Sequence, residues 1–319
     1  MKRIAVLTTG GDAPGMNAAI RAVVRTATYH HVEVLGVFRG WSGLIHGELK
    51  PLDARAVSGI INQGGTMLKT ARCQEFYTEA GQKRAFETVT KHHIDGMVVI
   101  GGNGSFVAAH EFYNRYRVPC IGVPATIDND INGIDMTFGV DTAVNTALHA
   151  IDNIRDTSTS MERIFVIEVM GGNTGYIALT VALAGGCEEV IIPERPYDLD
   201  AICQDIAEGH ARGKASWIIV VAEGAASAAE IARKITEMSG RETRHVVLGH
   251  IQRGGRPTAF SREYALRLGW EAVNRLLAGE HDTAVGICDN KIVTVNFELA
   301  IQHKALDVEG MYKLIRILT

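Results

Sequence analysis

Residues 4–17 read IAVLTTGGDAPGMN, and this stretch decides the predicted fold. Residues 4–8 form an apolar, β-like run, the glycines that follow predict a tight turn, and a helical pattern then extends over about 16–28. A buried strand, a glycine turn and a helix are the repeating unit of an α/β fold. Glycines in such a turn let backbone N–H groups approach a phosphate. The spacing matches neither the dinucleotide fingerprint nor the Walker loop, and a plain connecting turn is the alternative interpretation.

The same alternation continues along the chain. Further β-like runs lie at 32–38, 97–100, 120–123, 164–169, 190–192, 217–222 and 246–248. Helical patterns lie between them, for example at 175–184, 199–212, 226–238 and 258–278. Apolar strands that alternate with helices predict parallel sheets covered on both faces. With 319 residues, the chain is predicted to form two Rossmann-like, three-layer α/β lobes with mostly parallel sheets.

Composition and charge argue against several classes of protein. Apolar residues make up 46% of the chain, and the net charge of −4 gives no reason to expect nucleic acid or an anionic membrane as a partner. No apolar run is long enough to span a bilayer, and the N-terminus lacks the pattern of a signal peptide. The five cysteines are scattered and include no CxxC pair, which favours reduced thiols. We therefore expect a soluble, cytoplasmic protein.

Two further clusters follow β-like runs, where open parallel sheets bind their ligands. Residues 101–105 (GGNGS) repeat the glycine-rich pattern of a phosphate loop. Residues 124–130 (PATIDND) place Asp128 and Asp130 two positions apart. One carboxylate can accept a proton while the other helps to hold a metal ion, and an Asp-rich turn with capping side chains is an equally good interpretation.

The last cluster is basic. Residues 250–257 (HIQRGGRP) suit an anion site, because arginine offers paired donors to phosphate, and they also suit a solvated turn. Arg163 and Arg244 each precede a predicted strand, where surface arginine is ordinary. Glu223 closes the run at 217–222 and could hold a sugar hydroxyl.

Six motifs together resemble the bacterial ATP-dependent 6-phosphofructokinase family. They are GGDAPGMN (10–17), GGNGS (101–105), PATIDND (124–130), EVMGG (168–172), VAEG (221–224) and LGHIQRGG (248–255). The resemblance extends from Met1 to beyond Gly286. It implies a larger ATP-binding lobe of residues 1–138 and 252–302, and a smaller sugar-phosphate-binding lobe of residues 139–251 and 303–319. It also implies a homotetramer that uses ATP and Mg²⁺ to phosphorylate the C1 hydroxyl of fructose 6-phosphate.

The resemblance also implies roles for individual residues. Asp128 corresponds to the general base, Thr126 to a group that orients the substrates, and Asp130 to a residue that assists Mg²⁺. The implied ATP-binding positions are Gly11, Arg72, Cys73, Gly102, Asn103, Gly104 and Ser105. The implied substrate contacts are Thr126, Ile127, Asp128, Arg163, Met170, Gly171, Gly172, Glu223, Arg244, His250, Ile251, Gln252 and Arg253, of which Arg163 and Arg244 correspond to arginines that reach over from a neighbouring subunit.

An effector site for ADP and phosphoenolpyruvate is implied as well. Its residues are Arg21, Arg25, Arg55, Arg155, Glu188, Arg212 and Lys214, and helix-surface charge is the alternative interpretation. Family members that use pyrophosphate resemble GGDDS and PKTIDND. Gly104 and Ala125 are small at those positions, which points to ATP as the donor.

The chain departs from the family pattern at several positions. Asn103 replaces an aspartate that helps to hold Mg²⁺ and stays a candidate metal ligand, although a weaker one because its amide is neutral. Gly172 replaces an arginine near the transferred phosphate. Ala54 and Gly59 replace charged effector-site residues, and Trp41 replaces a tyrosine. We therefore predict a kinase with altered or weak kinetics and blunted regulation.

Three other interpretations stay open. A catalytically impaired paralogue could bind sugar phosphate or nucleotide as a sensor or partner subunit. A pyrophosphate-dependent kinase is disfavoured by Gly104 and Ala125. A nicotinamide dehydrogenase is disfavoured because the GxGxxG fingerprint is missing.

Overall fold

The computed structural model describes the whole chain, Met1–Thr319, which divides into two compact units. The first unit comprises Met1–Thr142 and Arg253–Lys304, and the second comprises Ala143–Gln252 and Ala305–Thr319. None of the helices combines the length and apolar character needed to cross a lipid bilayer.

Twelve strands and eleven helices make up the two units. The strands are β1 (Arg3–Thr8), β2 (Glu33–Val37), β3 (Leu49–Leu52), β4 (Gly96–Gly101), β5 (Cys120–Thr126), β6 (Phe138–Gly139), β7 (Ile164–Val169), β8 (Glu189–Ile191), β9 (Trp217–Ala222), β10 (Thr243–Val247), β11 (Thr283–Cys288) and β12 (Lys291–Asn296). The helices are α1 (Met16–Tyr29), α2 (Gly40–His46), α3 (Glu79–Lys91), α4 (Asn103–Tyr116), α5 (Val140–Met161), α6 (Tyr176–Ala184), α7 (Leu199–Ala211), α8 (Ala228–Ser239), α9 (Ala259–Leu277), α10 (Phe297–Ala300) and α11 (Val308–Leu318).

The first unit is built on a sheet with strand order β12-β11-β5-β4-β1-β2-β3, and β6 pairs with β5. The pairs formed by β1, β2, β4, β5 and β11 are parallel, whereas β3 and β12 add antiparallel edges. The carboxyl ends of β1, β4 and β5 therefore lie side by side. The loops that follow these three strands are the motifs GGDAPG, GGNGS and TIDND.

Helices cover both faces of this sheet. Ala5 and Leu7 of β1 share a buried cluster with residues of α2, α3 and α4 and of the 3₁₀ turn Gln74–Tyr77. The cluster includes the aromatic side chains of Trp41, Phe76 and Phe112. Ile4 and Val6 alternate with them and are fully buried as well. Helices α1 and α9 pack against each other and against strands of the sheet. The first unit is therefore a three-layer α/β structure.

The second unit contains a smaller, fully parallel sheet with strand order β10-β7-β9-β8. Strand β9 is buried throughout, whereas the edge strand β10 has several exposed residues. A cluster of buried aliphatic side chains from β7, β9, α7 and α8 forms the core. The prediction of a two-unit α/β fold with mostly parallel sheets is confirmed.

The observed bounds of several buried elements agree closely with the bounds predicted from the sequence. The runs at 164–169 and 217–222 are β7 and β9 residue for residue, and the helix predicted at 258–278 is α9. The run predicted at 246–248 is wrong in extent, because β10 covers Thr243–Val247. Arg244 therefore lies inside β10 rather than before it. An edge strand leaves one flank in solvent and accommodates charged residues, so its apolar run is shorter than the strand.

Substitution of Phe112 tests how much the aromatic cluster of the first unit contributes to stability. Its side chain is fully buried, with ring centroids 5.5 Å from Phe76 and 6.1 Å from Trp41. Phe112→Ala is expected to lower the free energy of unfolding by about 3–5 kcal/mol, because it leaves a large cavity. The measurement is the urea midpoint followed by circular dichroism. Tyr29→Ala, at a side chain that is 80% exposed, is the control and is expected to change stability by less than about 0.5 kcal/mol. Equal midpoints for both variants would contradict this account.

Candidate active site

A cavity of about 310 Å³ opens at the carboxyl ends of β1, β4 and β5 in the first unit. All three motifs that follow these strands contribute to it. Its lining consists of Thr9, Gly10, Gly11, Trp41, Arg72, Cys73, Gln74, Tyr77, Gly102, Asn103, Gly104, Ser105, Ala125, Thr126, Asp128, Asp130 and Arg253. The structure thus brings together every predicted ATP-binding residue with Thr126, Asp128 and Asp130.

The two glycine-rich loops are tied to each other. Ser105 Oγ donates a hydrogen bond of 3.2 Å to the Thr9 carbonyl, and Thr9 N donates to Ile100 O at 3.0 Å. A Cβ on Gly101 would lie 2.3 Å from Ser105 Oγ and 2.6 Å from Thr9 O. Only glycine fits between the loops at this position, which explains the residue type in the motif.

The start of α4 faces the cavity through Gly102, Asn103, Gly104 and Ser105. The first backbone N–H groups of a helix have no intrahelical acceptor, and the helix dipole favours an anion there. A Cβ on Gly104 would meet only the Tyr77 hydroxyl, at 3.9 Å. This end of the cavity can therefore accept phosphate groups and has open space beside Gly104.

The side chain of Asn103 forms a structural hydrogen bond that competes with metal binding. Its Nδ2 donates a hydrogen bond of 3.1 Å to the Ile301 carbonyl, directly after α10. An aspartate in the same conformation would place a carboxylate oxygen against that carbonyl. The amide therefore suits the structural contact better than it suits a cation.

The loop after β5 directs two carboxylates into the cavity. Between Asp128 and Asp130, Asn129 adopts a left-handed backbone with φ 53°. Asn129 Oδ1 accepts a hydrogen bond from Thr137 N at 3.0 Å, and Thr137 Oγ1 donates to the Thr126 carbonyl at 2.7 Å. These bonds fix the turn, so both carboxylates line one cavity rather than opposite sides of a strand.

Asp130 lies in an unusual electrostatic environment. Burial, followed by the charge of Asp128, raises the pKa of Asp130 to about 6. Its Oδ1 is buried and has no hydrogen-bond partner. A bound cation would satisfy this oxygen and offset the repulsion between the two carboxylates, so the donor set fits a hard divalent ion such as Mg²⁺.

Two arginines supply positive charge to the cavity. Arg72 lines it on an exposed segment, and Arg253 lies against Gly11, where an added Cβ would be 2.6 Å from Nη1. Arg253 Nη1 also donates a hydrogen bond of 3.1 Å to the Asp12 carbonyl. The family resemblance implied Arg253 as a substrate contact, and the structure places its guanidinium beside the first glycine loop. No sequence signal indicated this position.

Tyr77 was missed by the sequence analysis. It lines the cavity from a short 3₁₀ turn, Gln74–Tyr77, and its hydroxyl donates to the Gly104 carbonyl at 3.2 Å. Trp41, another lining residue, stacks on Phe76 with ring centroids 4.2 Å apart. The segment of residues 72–78 has neither a helical nor a strand-like period that would have predicted these contacts.

Seven of the predicted substrate residues lie in the second unit, in or near the loop after β7. They are Met170, Gly171, Gly172, Glu223, His250, Ile251 and Gln252. Glu223 Oε1 accepts hydrogen bonds from Gly172 N at 2.9 Å and Gly171 N at 3.3 Å. Gln252 is fully buried, and its Oε1 accepts from Met170 N at 2.9 Å. His250 and Ile251 are exposed in the 3₁₀ turn Gly249–Gln252, which ends at Gln252. Glu223 and Gln252 therefore hold the backbone of this loop. The remaining predicted substrate contact Ile127 lies in the first unit, where its side chain is buried.

Arg163 and Arg244 also belong to the second unit. Arg163 directly precedes β7, and Arg244 is the second residue of β10. Both guanidinium groups form ion pairs with the exposed carboxylate of Glu242. Sequence patterns did not indicate Glu242.

The predicted effector residues are divided between the units. Arg21, Arg25 and Arg55 lie in the first, where Arg21 Nη1 donates to Val57 O at 3.0 Å. In the second unit, Glu188, Arg212 and Lys214 line a cavity of about 240 Å³. Lys214 Nζ lies 3.0 Å from Glu188 Oε1. Arg155 Nη2 donates to the Gly186 carbonyl at 2.9 Å.

Comparisons with known proteins agree with this geometry. A family model described as phosphofructokinase matches residues 3–276. The ATP-dependent 6-phosphofructokinase of Halalkalibacterium halodurans is 53% identical over 315 residues, which are 98% of this chain and 98% of the relative. The protein of the same name from Thermotoga petrophila is 50% identical over 319 residues, which are 100% of both chains.

Solved structures of phosphofructokinases are also similar to this chain. A phosphofructokinase from Saccharomyces cerevisiae matches with a TM-score of 0.90 and 33% identity, over 94% of this chain and 45% of the yeast chain, so this chain spans less than half of it. A pyrophosphate-dependent phosphofructokinase from Marinobacter aquaeolei matches with a TM-score of 0.86 at 24% identity, over 100% of this chain and 91% of the other, which supports the fold alone. From the matched family model, the near-complete relatives and the shared fold, we conclude that the chain belongs to the phosphofructokinase family.

Proposed function

We propose that the protein transfers the γ-phosphoryl group of ATP to the C1 hydroxyl of D-fructose 6-phosphate, giving fructose 1,6-bisphosphate and ADP. The observation that carries this proposal is the single cavity that joins two glycine-rich loops to Asp128 and Asp130. Relatives that are 50–53% identical over nearly their whole length bear the name ATP-dependent 6-phosphofructokinase. This reaction makes the protein a glycolytic kinase, and its cytoplasmic location stays a prediction.

The proposed mechanism needs a base, an orienting hydroxyl and positive charge. Asp128 accepts the proton of the C1 hydroxyl as that oxygen attacks the γ-phosphorus, and the bond to the β-phosphate oxygen breaks to release ADP. Thr126, at the end of β5, orients the reacting groups. Arg72 and Arg253 balance the phosphate charge within the same cavity. Positioning and charge neutralisation contribute most of the rate enhancement in such reactions.

Asp130 is the proposed metal ligand of this chain. Its buried, unpartnered Oδ1 supports this assignment, whereas the contact between Asn103 and Ile301 weakens the prediction that Asn103 binds metal. Bound Mg²⁺ would neutralise charge on the phosphate oxygens. The turn at Asn129 positions the Asp130 carboxylate at the cavity wall.

A catalytically impaired sugar-phosphate or nucleotide-binding paralogue is the second candidate. The diverted amide of Asn103 and the missing arginine at Gly172 favour it. The shared cavity of Asp128 and Asp130 favours the kinase. We also propose a homotetramer with blunted control by ADP and phosphoenolpyruvate. The cavity beside Glu188, Arg212 and Lys214 supports the effector proposal.

Asp128→Asn tests the kinase directly. Losing the base is expected to lower kcat on the order of 10²- to 10⁴-fold while fructose 6-phosphate still binds, because the amide keeps the shape of the side chain. A coupled assay measures turnover, and titration calorimetry measures the binding of the sugar phosphate. Asp156→Asn, at an exposed position of α5, is the matched control and should retain full turnover. Full turnover in Asp128→Asn would reject Asp128 as the base. A wild-type protein that binds the sugar phosphate without turning over would favour the paralogue.

Asn103→Asp tests the effect of the departure from the family pattern. A carboxylate at position 103 cannot donate the hydrogen bond to the Ile301 carbonyl, so it is expected to turn into the cavity and add a hard oxygen ligand. The Mg²⁺ concentration for half-maximal turnover is therefore expected to fall several-fold, about tenfold at most. Turnover is measured against free Mg²⁺ at fixed ATP. Gln74→Glu adds the same charge elsewhere in the cavity wall and controls for a general field effect. An unchanged or higher Mg²⁺ requirement would show that position 103 does not contribute to metal binding.

Gly104→Asp tests the choice of phosphoryl donor. The space beside Gly104 is open, so the new carboxylate would extend towards the nucleotide phosphates and repel them. The KM for ATP is expected to rise at least about tenfold, or ~1.4 kcal/mol, with a smaller effect on the KM for fructose 6-phosphate. Gly104→Ala is the control for size and should keep the KM for ATP within about threefold. An unaltered KM for ATP in Gly104→Asp would place the nucleotide elsewhere.

A further inference from the structure

Strand register brings three charged side chains together in the second unit. In the parallel pair of β7 and β10, Thr243 is paired with Ile164. The residues that precede them, Glu242 and Arg163, are therefore neighbours on adjacent strands. Glu242 and Arg244 are two positions apart, and alternate residues of an extended chain share a face. The backbone therefore places the Glu242 carboxylate between the guanidinium groups of Arg163 and Arg244.

The contacts divide evenly between the two carboxylate oxygens. Arg163 Nη2 lies 3.1 Å from Glu242 Oε2, and Arg244 Nη2 pairs with Oε1. The backbone of Arg163 is fixed, since its N–H donates to Ser158 O at 3.1 Å and its carbonyl accepts from Ser158 Oγ at 2.8 Å. Glu242 has no ionic partner besides these two arginines.

We propose that Glu242 is an internal competitor for phosphate and thereby sets the affinity for the sugar phosphate. Its carboxylate occupies the donor groups of Arg163 and Arg244 that a phosphate monoester would use, and it is displaced when the phosphate binds. This inference rests on the proposed function and on the assignment of both arginines to the sugar phosphate, which the family resemblance implies. Carboxylates and phosphates are both oxyanions that accept hydrogen bonds from guanidinium groups.

Exposure favours competition over a fixed structural role. The side chain of Glu242 is 51% exposed and that of Arg244 is 56% exposed. Ion pairs in such surroundings are weak, so a phosphate with more charge and more acceptor oxygens can replace the carboxylate. A displaced Glu242 side chain can rotate into solvent, because no other group holds it.

The test compares Glu242→Gln with the wild type by titration calorimetry, using fructose 6-phosphate and, separately, inorganic phosphate. Both ligands are expected to bind about two- to tenfold more tightly to the variant, since two weak ion pairs no longer have to be broken. Fructose without phosphate should show no difference. Glu242→Asp, which keeps the charge, should stay closer to the wild type. The gain in Glu242→Gln should shrink at about 1 M salt, where charges are screened.

Glu237→Gln is the matched control. Glu237 is an exposed carboxylate of α8 that pairs with Arg233 at 2.7 Å, and its loss should leave phosphate affinity unchanged. Weaker binding by Glu242→Gln would overturn the proposal and show that Glu242 orients the arginines. Equal binding would overturn it as well. A wild-type protein without turnover would reject the proposed kinase, while the binding comparison would still decide the role of Glu242.

Discussion

The left-handed backbone at Asn129 is the constraint on which the candidate active site depends. Strand β5 ends at Thr126, and the chain must then turn sharply while keeping both Asp128 and Asp130 at the same cavity. Asparagine tolerates this conformation, and its side-chain oxygen accepts the Thr137 N–H that locks the turn. A residue unable to adopt φ 53° or to make this bond would separate the carboxylates from the glycine-rich loops. The proposed base, the proposed metal ligand and the two glycine-rich loops line one cavity because this turn holds.

Charge balance then defines what the cavity can do. Burial raises the pKa of Asp130, and the repulsion between its carboxylate and that of Asp128 raises it further. Arg72 and Arg253 line the same cavity and offset part of this negative charge. In the proposed reaction, a cation bound together with a polyphosphate would offset the remaining repulsion between the two carboxylates. Such preorganised charge is typical of sites for phosphoryl transfer.

Most of the buried strands were predictable from the sequence, whereas the hairpin that ends the first sheet and several side-chain contacts were not. Strands β7 and β9 follow from continuous apolar runs, and the loops after β1, β4 and β5 follow from glycine and aspartate. The hairpin of β11 and β12 was missed, although Asp289 and Asn290, both left-handed, form the two-residue turn that signals it. The positions of Arg253 and Glu242 depend on tertiary packing and strand register. No local pattern encodes those contacts.

The most direct test of the central claim follows the transferred phosphorus itself. The purified protein is mixed with ATP, Mg²⁺ and fructose 6-phosphate, and the reaction is followed by phosphorus-31 NMR. We expect the γ-phosphate signal of ATP to be lost while ADP and a second phosphomonoester signal, on C1 of the sugar, appear in equal amounts. Unchanged ATP in the presence of bound sugar phosphate, or inorganic phosphate as the only product, would contradict it.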